Sequence, residues 1–91
     1  MKLERILASF SRQKILLALH NVGKTHLTNL VRIVNSTYNQ VMPHLKILEK
    51  EGIISIKSYG RLRIVELNIE NPRTKALLKA LQILDRAESD A

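Results

Sequence analysis

The chain has 91 residues, a formal net charge of +7 and no cysteine. This length fits one small domain and excludes the large α/β enzyme folds, and the lack of cysteine excludes a disulfide framework and a thiolate zinc site. The hydrophobic share of 45% is that of a folded domain rather than of a disordered polycation. The basic excess indicates an anionic partner, such as nucleic acid or an anionic membrane surface.

The first predicted helix occupies residues 1–10 and has apolar side chains at i, i+3, i+4 and i+7: Leu3, Ile6, Leu7 and Phe10. Ser11 is the predicted N-cap of a second helix, which carries Ile15, Leu16 and Leu19 on its buried face. Gly23 is predicted to end that helix in the left-handed conformation, and a short, partly extended link follows it.

Two short helices then flank a tight turn. The first is predicted to begin with Thr28 as its N-cap and to end at Asn35, which tolerates the left-handed conformation. Ser36 or Thr37 is predicted to cap the next helix, which runs to Glu51. The buried stripe of this second helix has the spacing i, i+4, i+7: Val41, Leu45 and Leu48.

The pattern changes after residue 52. Residues 53–58 and 62–67 are rich in β-branched side chains that partly alternate with polar ones, and a turn around Gly60 separates them. These features predict a β-hairpin. The pattern does not determine whether Ile64 or Val65 faces the core.

Asn71 and Pro72 predict the start of a last helix, with Asn71 as the N-cap and Pro72 in the first turn. A domain this small cannot easily bury both the stripe of this helix and that of residues 1–10, so we expect terminal helices to pair in a homodimer. The alternative is that the last helix folds back onto its own domain. The predicted dimerisation residues are Leu3, Leu7, Leu77, Leu78, Leu81 and Leu84.

The charge is concentrated in the middle of the chain. Residues 10–63 hold nine Lys and Arg but only two Glu, whereas the remaining residues hold six bases and six acids. The whole excess therefore lies in the middle of the chain, which includes the two short helices and most of the hairpin, and the balanced ends fit burial against a partner chain.

A helix-turn-helix followed by a hairpin is the arrangement of a winged DNA-binding domain. Residues 11–67 resemble the winged helix-turn-helix domain of small prokaryotic transcription regulators of the MarR and ArsR type, most specifically in the run HLKILEKEGII at 44–54. The resemblance implies a mainly α fold with a small β-hairpin (α+β), in the order helix, helix, helix, hairpin, helix. It implies a DNA-binding domain at 11–69, between an N-terminal helix at 1–10 and a dimerisation helix at 70–91.

The resemblance makes residues 37–51 the recognition helix, which enters the major groove. Asn and Gln suit adenine, whereas hydroxyls and Lys suit phosphates; the alternative is an ordinary solvated helix face. The predicted DNA contacts of this helix and its first turn are Ser36, Thr37, Tyr38, Asn39, Gln40, Pro43, His44 and Lys46.

Pro43 departs from this pattern, because a proline inside a helix removes a hydrogen bond and costs about 3 kcal/mol. Either the helix is kinked on its exposed face, or the regular helix begins near Pro43 and residues 37–42 form a separate turn. The spacing from Val41 to Leu48 favours the kinked helix.

The predicted wing, residues 57–63, carries Lys57, Arg61 and Arg63. These cations suit the phosphate backbone or a narrow minor groove, and the alternative is an edge hairpin protected from aggregation by charge. Arg12 and Arg32 are further candidates for backbone contacts.

No other chemistry is indicated. The three histidines form no i, i+3 or i, i+4 pair, and no catalytic motif is present, so we expect no metal, no cofactor, no catalytic residue and no small-molecule ligand. No apolar run reaches the roughly 18–20 residues of a membrane span. We therefore expect a cytoplasmic, nucleoid-associated protein that binds double-stranded DNA. The resemblance is to an archaeal regulator, and the aliphatic, thiol-free composition suits a thermophile. The alternatives are a protein-interaction module and a sequence-tolerant chromatin-type protein.

Overall fold

The computed structural model describes residues 3–89, which form five helices and three strands. The helices are α1 (Leu3–Leu7), α2 (Phe10–Val22), α3 (Leu27–Ile33), α4 (Tyr38–Lys50) and α5 (Pro72–Ser89). The strands are β1 (Thr25–His26), β2 (Ile54–Tyr59) and β3 (Leu62–Leu67). Helices α3 and α4, the turn between them and the hairpin β2–β3 together make a winged helix-turn-helix, as predicted.

The break between α1 and α2 lies earlier than predicted. Ser9, not Ser11, is the N-cap of α2, and its Oγ accepts a hydrogen bond from the backbone N–H of Arg12 at 3.3 Å. Helix α1 therefore ends at Leu7, and Phe10 begins α2 with 72% of its surface exposed. The expectation that Phe10 lies on the apolar stripe of the first helix was wrong.

The start of α3 differs from the prediction, whereas the turn after α3 and the start of α4 agree with it. Helix α3 begins at Leu27, directly after β1, so Thr28 lies inside the helix and does not cap it. Asn35 has a φ of 53°, the predicted left-handed conformation. Thr37 is the N-cap of α4, and its Oγ accepts from the backbone N–H of Gln40 at 3.2 Å.

The hairpin forms the greater part of a three-stranded antiparallel sheet with the order β1-β3-β2. The pairs Ile54 with Leu67 and Ile56 with Val65 share one face, because side chains alternate along each strand. Val65 is fully buried whereas Ile64 is half-buried, so Val65 is the residue that faces the core.

The core is one cluster of aliphatic side chains contributed by all five helices and by β2 and β3. Ile6 of α1 and both Leu77 and Leu81 of α5 belong to it with exposures of 1% or less, so the terminal helices pack on the domain between them. Leu77 and Leu81, which were predicted to meet a partner chain, are therefore covered by the chain's own core. Leu3, Leu7 and Leu78 pack against this cluster and remain partly exposed.

The turn after α4 is joined to the start of α5. The carbonyl of Gly52 accepts hydrogen bonds from the side-chain amides of Asn68 and Asn71, at 3.1 and 2.9 Å. Arg73 donates to the carboxylate of Glu51 at 2.9 Å, and this hydrogen bond lowers the pKa of Glu51. Asn71 also accepts from the backbone N–H of Arg73, as expected for the N-cap of α5.

Gly52 is predicted to accept a side chain only with strain, because its φ is +75° and an added Cβ would lie 3.1 Å from the amide nitrogen of Asn71, which would have to shift. We expect Gly52→Ala to lower the free energy of unfolding in urea by more than the roughly 1–2 kcal/mol of a left-handed non-glycine residue. Gly60→Ala is the matched control, since Gly60 has a φ of +62° and open space around it. Equal losses in the two variants would contradict a role for the Asn71 contact.

Candidate nucleic-acid interface

Helix α4 presents two different faces. Val41, Leu45 and Leu48 have exposures of 2% or less and hold the helix on the core. At about 100° per residue, the outward face then carries Asn39, Pro43, Lys46 and Lys50, all of which are exposed. A polar and basic face therefore points away from the core, as predicted.

The first turn of α4 is organised by side-chain hydrogen bonds. Ser36 Oγ donates to Gln40 Oε1 at 2.8 Å, so one acceptor of the Gln40 amide is already in use. Asn39, by contrast, forms no side-chain hydrogen bond to any residue in the range 3–89. Of the two amides predicted to read bases, Asn39 is the one with both donor and acceptor available.

Pro43 lies inside a continuous α4, which excludes the alternative of a helix that begins near this residue. A proline has no N–H, so the carbonyl of Asn39 receives no i→i−4 hydrogen bond from position 43. Pro43 is exposed, and the fold therefore accommodates this proline on the face of α4 that points to solvent.

The wing approaches the N-terminus of α4 through one of its cations. Arg63 on β3 donates from Nη1 to the Tyr38 hydroxyl at 2.8 Å. Arg61, in the turn, lines a cleft with Tyr38 and Thr28. Lys57 lies on the opposite face of the hairpin, since it pairs with Ile64 whereas Arg63 pairs with Ser58. The structure thus brings Arg61 and Arg63 to α4 and leaves Lys57 apart, beside Lys24 and Glu66.

Arg12 and His44 form a bridge between the N-terminal helices and α4. Arg12 donates from Nε to His44 Nδ1 at 3.3 Å and from Nη1 to the carbonyl of Arg5 at 2.9 Å. Burial, and to a lesser degree the neighbouring charge of Arg12, lowers the pKa of His44. Both residues, which were predicted to contact DNA, therefore also have an intramolecular role. Arg32, the other predicted backbone contact, is exposed.

Lys14 was missed by the sequence analysis. It lines a narrow cleft between α2 and α4 with Ser36, Gln40 and His44, and its ammonium lies 5.7 Å from the centre of the Phe10 ring. Its place inside the basic segment 10–63 was the available signal, but the face of α2 that adjoins α4 could not be read from periodicity alone.

The clefts of this surface carry positive charge and no negative charge. The residues that line the two clefts on either side of Tyr38 include Lys46, Arg61 and Arg63 but no Asp or Glu. Within residues 3–89 no three His, Asp or Glu side chains come together as a metal site would require, and none of the helices described is long and apolar enough to cross a membrane.

Comparison with solved structures finds the same fold in several transcriptional regulators. The antimony-specific transcriptional repressor AntR superposes with a TM-score of 0.78 at 24% identity, over 96% of this chain and 78% of that one. A MarR-family regulator from Silicibacter pomeroyi superposes with a TM-score of 0.80 at 18% identity, over 97% of this chain and 62% of that one. Reduced AbfR bound to DNA superposes with a TM-score of 0.70 at 23% identity, over 88% of this chain and 59% of that one.

The structural neighbours thus include regulators of both the ArsR and the MarR families, and the predicted winged helix-turn-helix fold is confirmed. No protein-family model and no curated protein sequence matches the chain. At these identities the likeness establishes the fold, and the residues of this chain have to carry any argument about its function.

The lowered pKa of His44 predicts a pH dependence of stability. The unfolded chain binds the His44 proton more tightly than the folded chain, so stability falls as the pH decreases below about 6.5. His44→Gln removes this titration and keeps an oxygen that can accept from Arg12. We expect the melting temperature of the variant to change less than that of the wild type between pH 7.5 and 5.5. An unchanged pH dependence would show that His44 does not contribute to it.

Proposed function

We propose that this protein is a homodimeric transcriptional regulator that binds a specific sequence in double-stranded DNA, in the cytoplasm and on the nucleoid. The observation that carries the proposal is the outward face of α4 with its neighbouring wing arginines, a surface that exposes amides and cations and whose clefts contain no carboxylate. The DNA-bound structure of AbfR, which has the same fold, supports it. An archaeal source stays a prediction from the resemblance, and a thermophilic source stays a prediction from composition.

The predicted contacts have different roles in this proposal. Helix α4 lies in the major groove, where Asn39 reads a base through its amide. Lys46 and Arg61 contact phosphates and position the helix without reading sequence. Gln40 contributes through its amide N–H groups, because Ser36 already donates to its oxygen. Lys57 lies too far round the hairpin to share a phosphate with α4, and we place it at the edge of the contact.

Helix α5 offers a surface for a second copy of the chain. Its buried stripe, centred on Leu77 and Leu81, belongs to the core. Beside that stripe runs a second apolar row at i, i+4, i+7, i+8 and i+11: Ala76, Ala80, Ile83, Leu84 and Ala87. Ile83 and Leu84 are 59% and 45% exposed. We propose that this row, which shares only Leu84 with the residues predicted from sequence, forms the two-fold interface.

Asn39→Ala tests sequence reading. In a selection from random duplexes followed by titration, we expect the variant to lose discrimination between the selected site and a single-base mismatch by roughly 1–3 kcal/mol, the cost of one bidentate base contact. Arg61→Ala is the control, since the loss of a phosphate contact should weaken binding to all duplexes alike. Equal affinity of the wild type for every duplex would favour a chromatin-type protein, and no salt-sensitive duplex binding would favour a protein-interaction module.

Ile83→Glu tests the dimer. A carboxylate in the centre of an apolar interface is left without a partner, so we expect the variant to be monomeric in analytical ultracentrifugation at concentrations where the wild type is dimeric. Gln82→Glu, which places the same carboxylate beside His20 of the same chain, should remain dimeric. A wild type that is monomeric at micromolar concentration would contradict the proposed interface.

A further inference from the structure

The outward face of α4 and the wing border an open cleft of about 550 Å³. Its lining residues are Tyr38, Asn39, Met42, Pro43, Lys46 and Arg63. Five of them come from α4, and Arg63 comes from β3. The cleft therefore joins the two elements to which the proposed function assigns DNA binding.

The hydrogen bond between Arg63 and Tyr38 determines what this cleft can bind. A phenol hydroxyl carries one proton and can also accept. Because the Tyr38 oxygen accepts from Arg63 at 2.8 Å, its own proton points elsewhere and is available to an acceptor. The guanidinium of Arg63 has five N–H groups, of which this contact uses one. The pair thus presents several donors and a positive charge.

Lys46 adds a second cation to the same cleft, and no acidic residue lines it. Within the described part of the chain Lys46 forms no ion pair. Two cations that line one cleft without a carboxylate repel each other, and a bound anion removes that repulsion. A phosphate oxygen accepts hydrogen bonds from all three groups, and arginine matches its geometry with paired donors.

We infer that this cleft binds one phosphate of the DNA backbone, held by the Tyr38 hydroxyl, Arg63 and Lys46. The inference rests on the proposed function and adds a site to it. Because Tyr38 begins α4 and Arg63 lies on β3, a phosphate bound between them fixes the angle between helix and wing. Arg63 is then committed to this phosphate, and Arg61 at the tip of the wing contacts a different one.

The first measurement is the salt dependence of binding to the selected duplex. Arg63→Ala should lower the affinity at least ten-fold, the loss expected for a hydrogen bond to a charged group, and should reduce the slope against log salt by about 0.9. Tyr38→Phe keeps the ring and should weaken binding to all duplexes alike, with a smaller change in slope. Lys75→Ala, at an exposed position of α5 that lines neither cleft, is the control for a general loss of charge and should bind like the wild type.

The decisive measurement replaces single phosphates of the selected duplex by neutral methylphosphonates. At one position per half-site the wild type should lose about ten-fold in affinity, whereas Tyr38→Phe and Arg63→Ala should lose little, because the contact is already absent. Circular dichroism melts of each variant control for folding. If the wild type binds the duplex but every methylphosphonate weakens the two variants as much as the wild type, this inference alone would be overturned. Failure of the wild type to bind any duplex would overturn the proposed function and this inference together.

Discussion

The packing of one apolar stripe of α4 against the core determines the orientation of every other feature of the candidate interface. Val41, Leu45 and Leu48 are buried almost completely, and burial of each such side chain stabilises the fold by roughly 1.5–3 kcal/mol. A rotation of the helix by one residue would expose this stripe and move Lys46 towards the core, where an unpaired ammonium costs several kcal/mol. Asn39 and Lys46 therefore face outward because no other orientation of the helix is compatible with the core.

The wing and the last helix are positioned relative to α4 by a small number of polar contacts. Arg63 holds β3 to the first residue of α4. At the other end of α4, the carbonyl of Gly52 accepts from two asparagine amides and Glu51 accepts from Arg73. The element proposed to read DNA is thus connected at its start to the wing and at its end to the helix proposed to form the dimer. The distance between two recognition helices in a dimer would depend on both connections.

The sequence predicts the fold well where periodicity and capping residues act together. Asn35, Thr37 and Asn71 have the conformations or caps expected from local chemistry, and the stripe of α4 is buried as its spacing predicts. The predictions that Ser11 and Thr28 are N-caps were wrong, because the sequence near a helix start offers several capping candidates within a few residues. For Thr28 the pairing of β1 with β3, a contact between distant segments, decided the outcome.

The candidate site was predictable as a surface but not as a set of contacts. The location of the charge identified the segment 10–63, yet no sequence pattern shows that Arg63 donates to Tyr38 or that Arg12 donates to His44, since these pairs are 25 and 32 residues apart. The same limit applies to α5. Its two adjacent apolar rows read as one wide stripe in the sequence, and only the packed structure shows that Leu77 and Leu81 are used internally and that Ile83 and Leu84 are not.

The central claim is that two copies of the α4 face and wing bind one duplex. Hydroxyl-radical footprinting of a duplex selected from random sequence tests it most directly, because it reports which parts of the backbone the protein covers. We expect two protected segments related by two-fold symmetry, with their centres one helical turn or about 34 Å apart. A single protected segment, or uniform protection along the duplex, would contradict it.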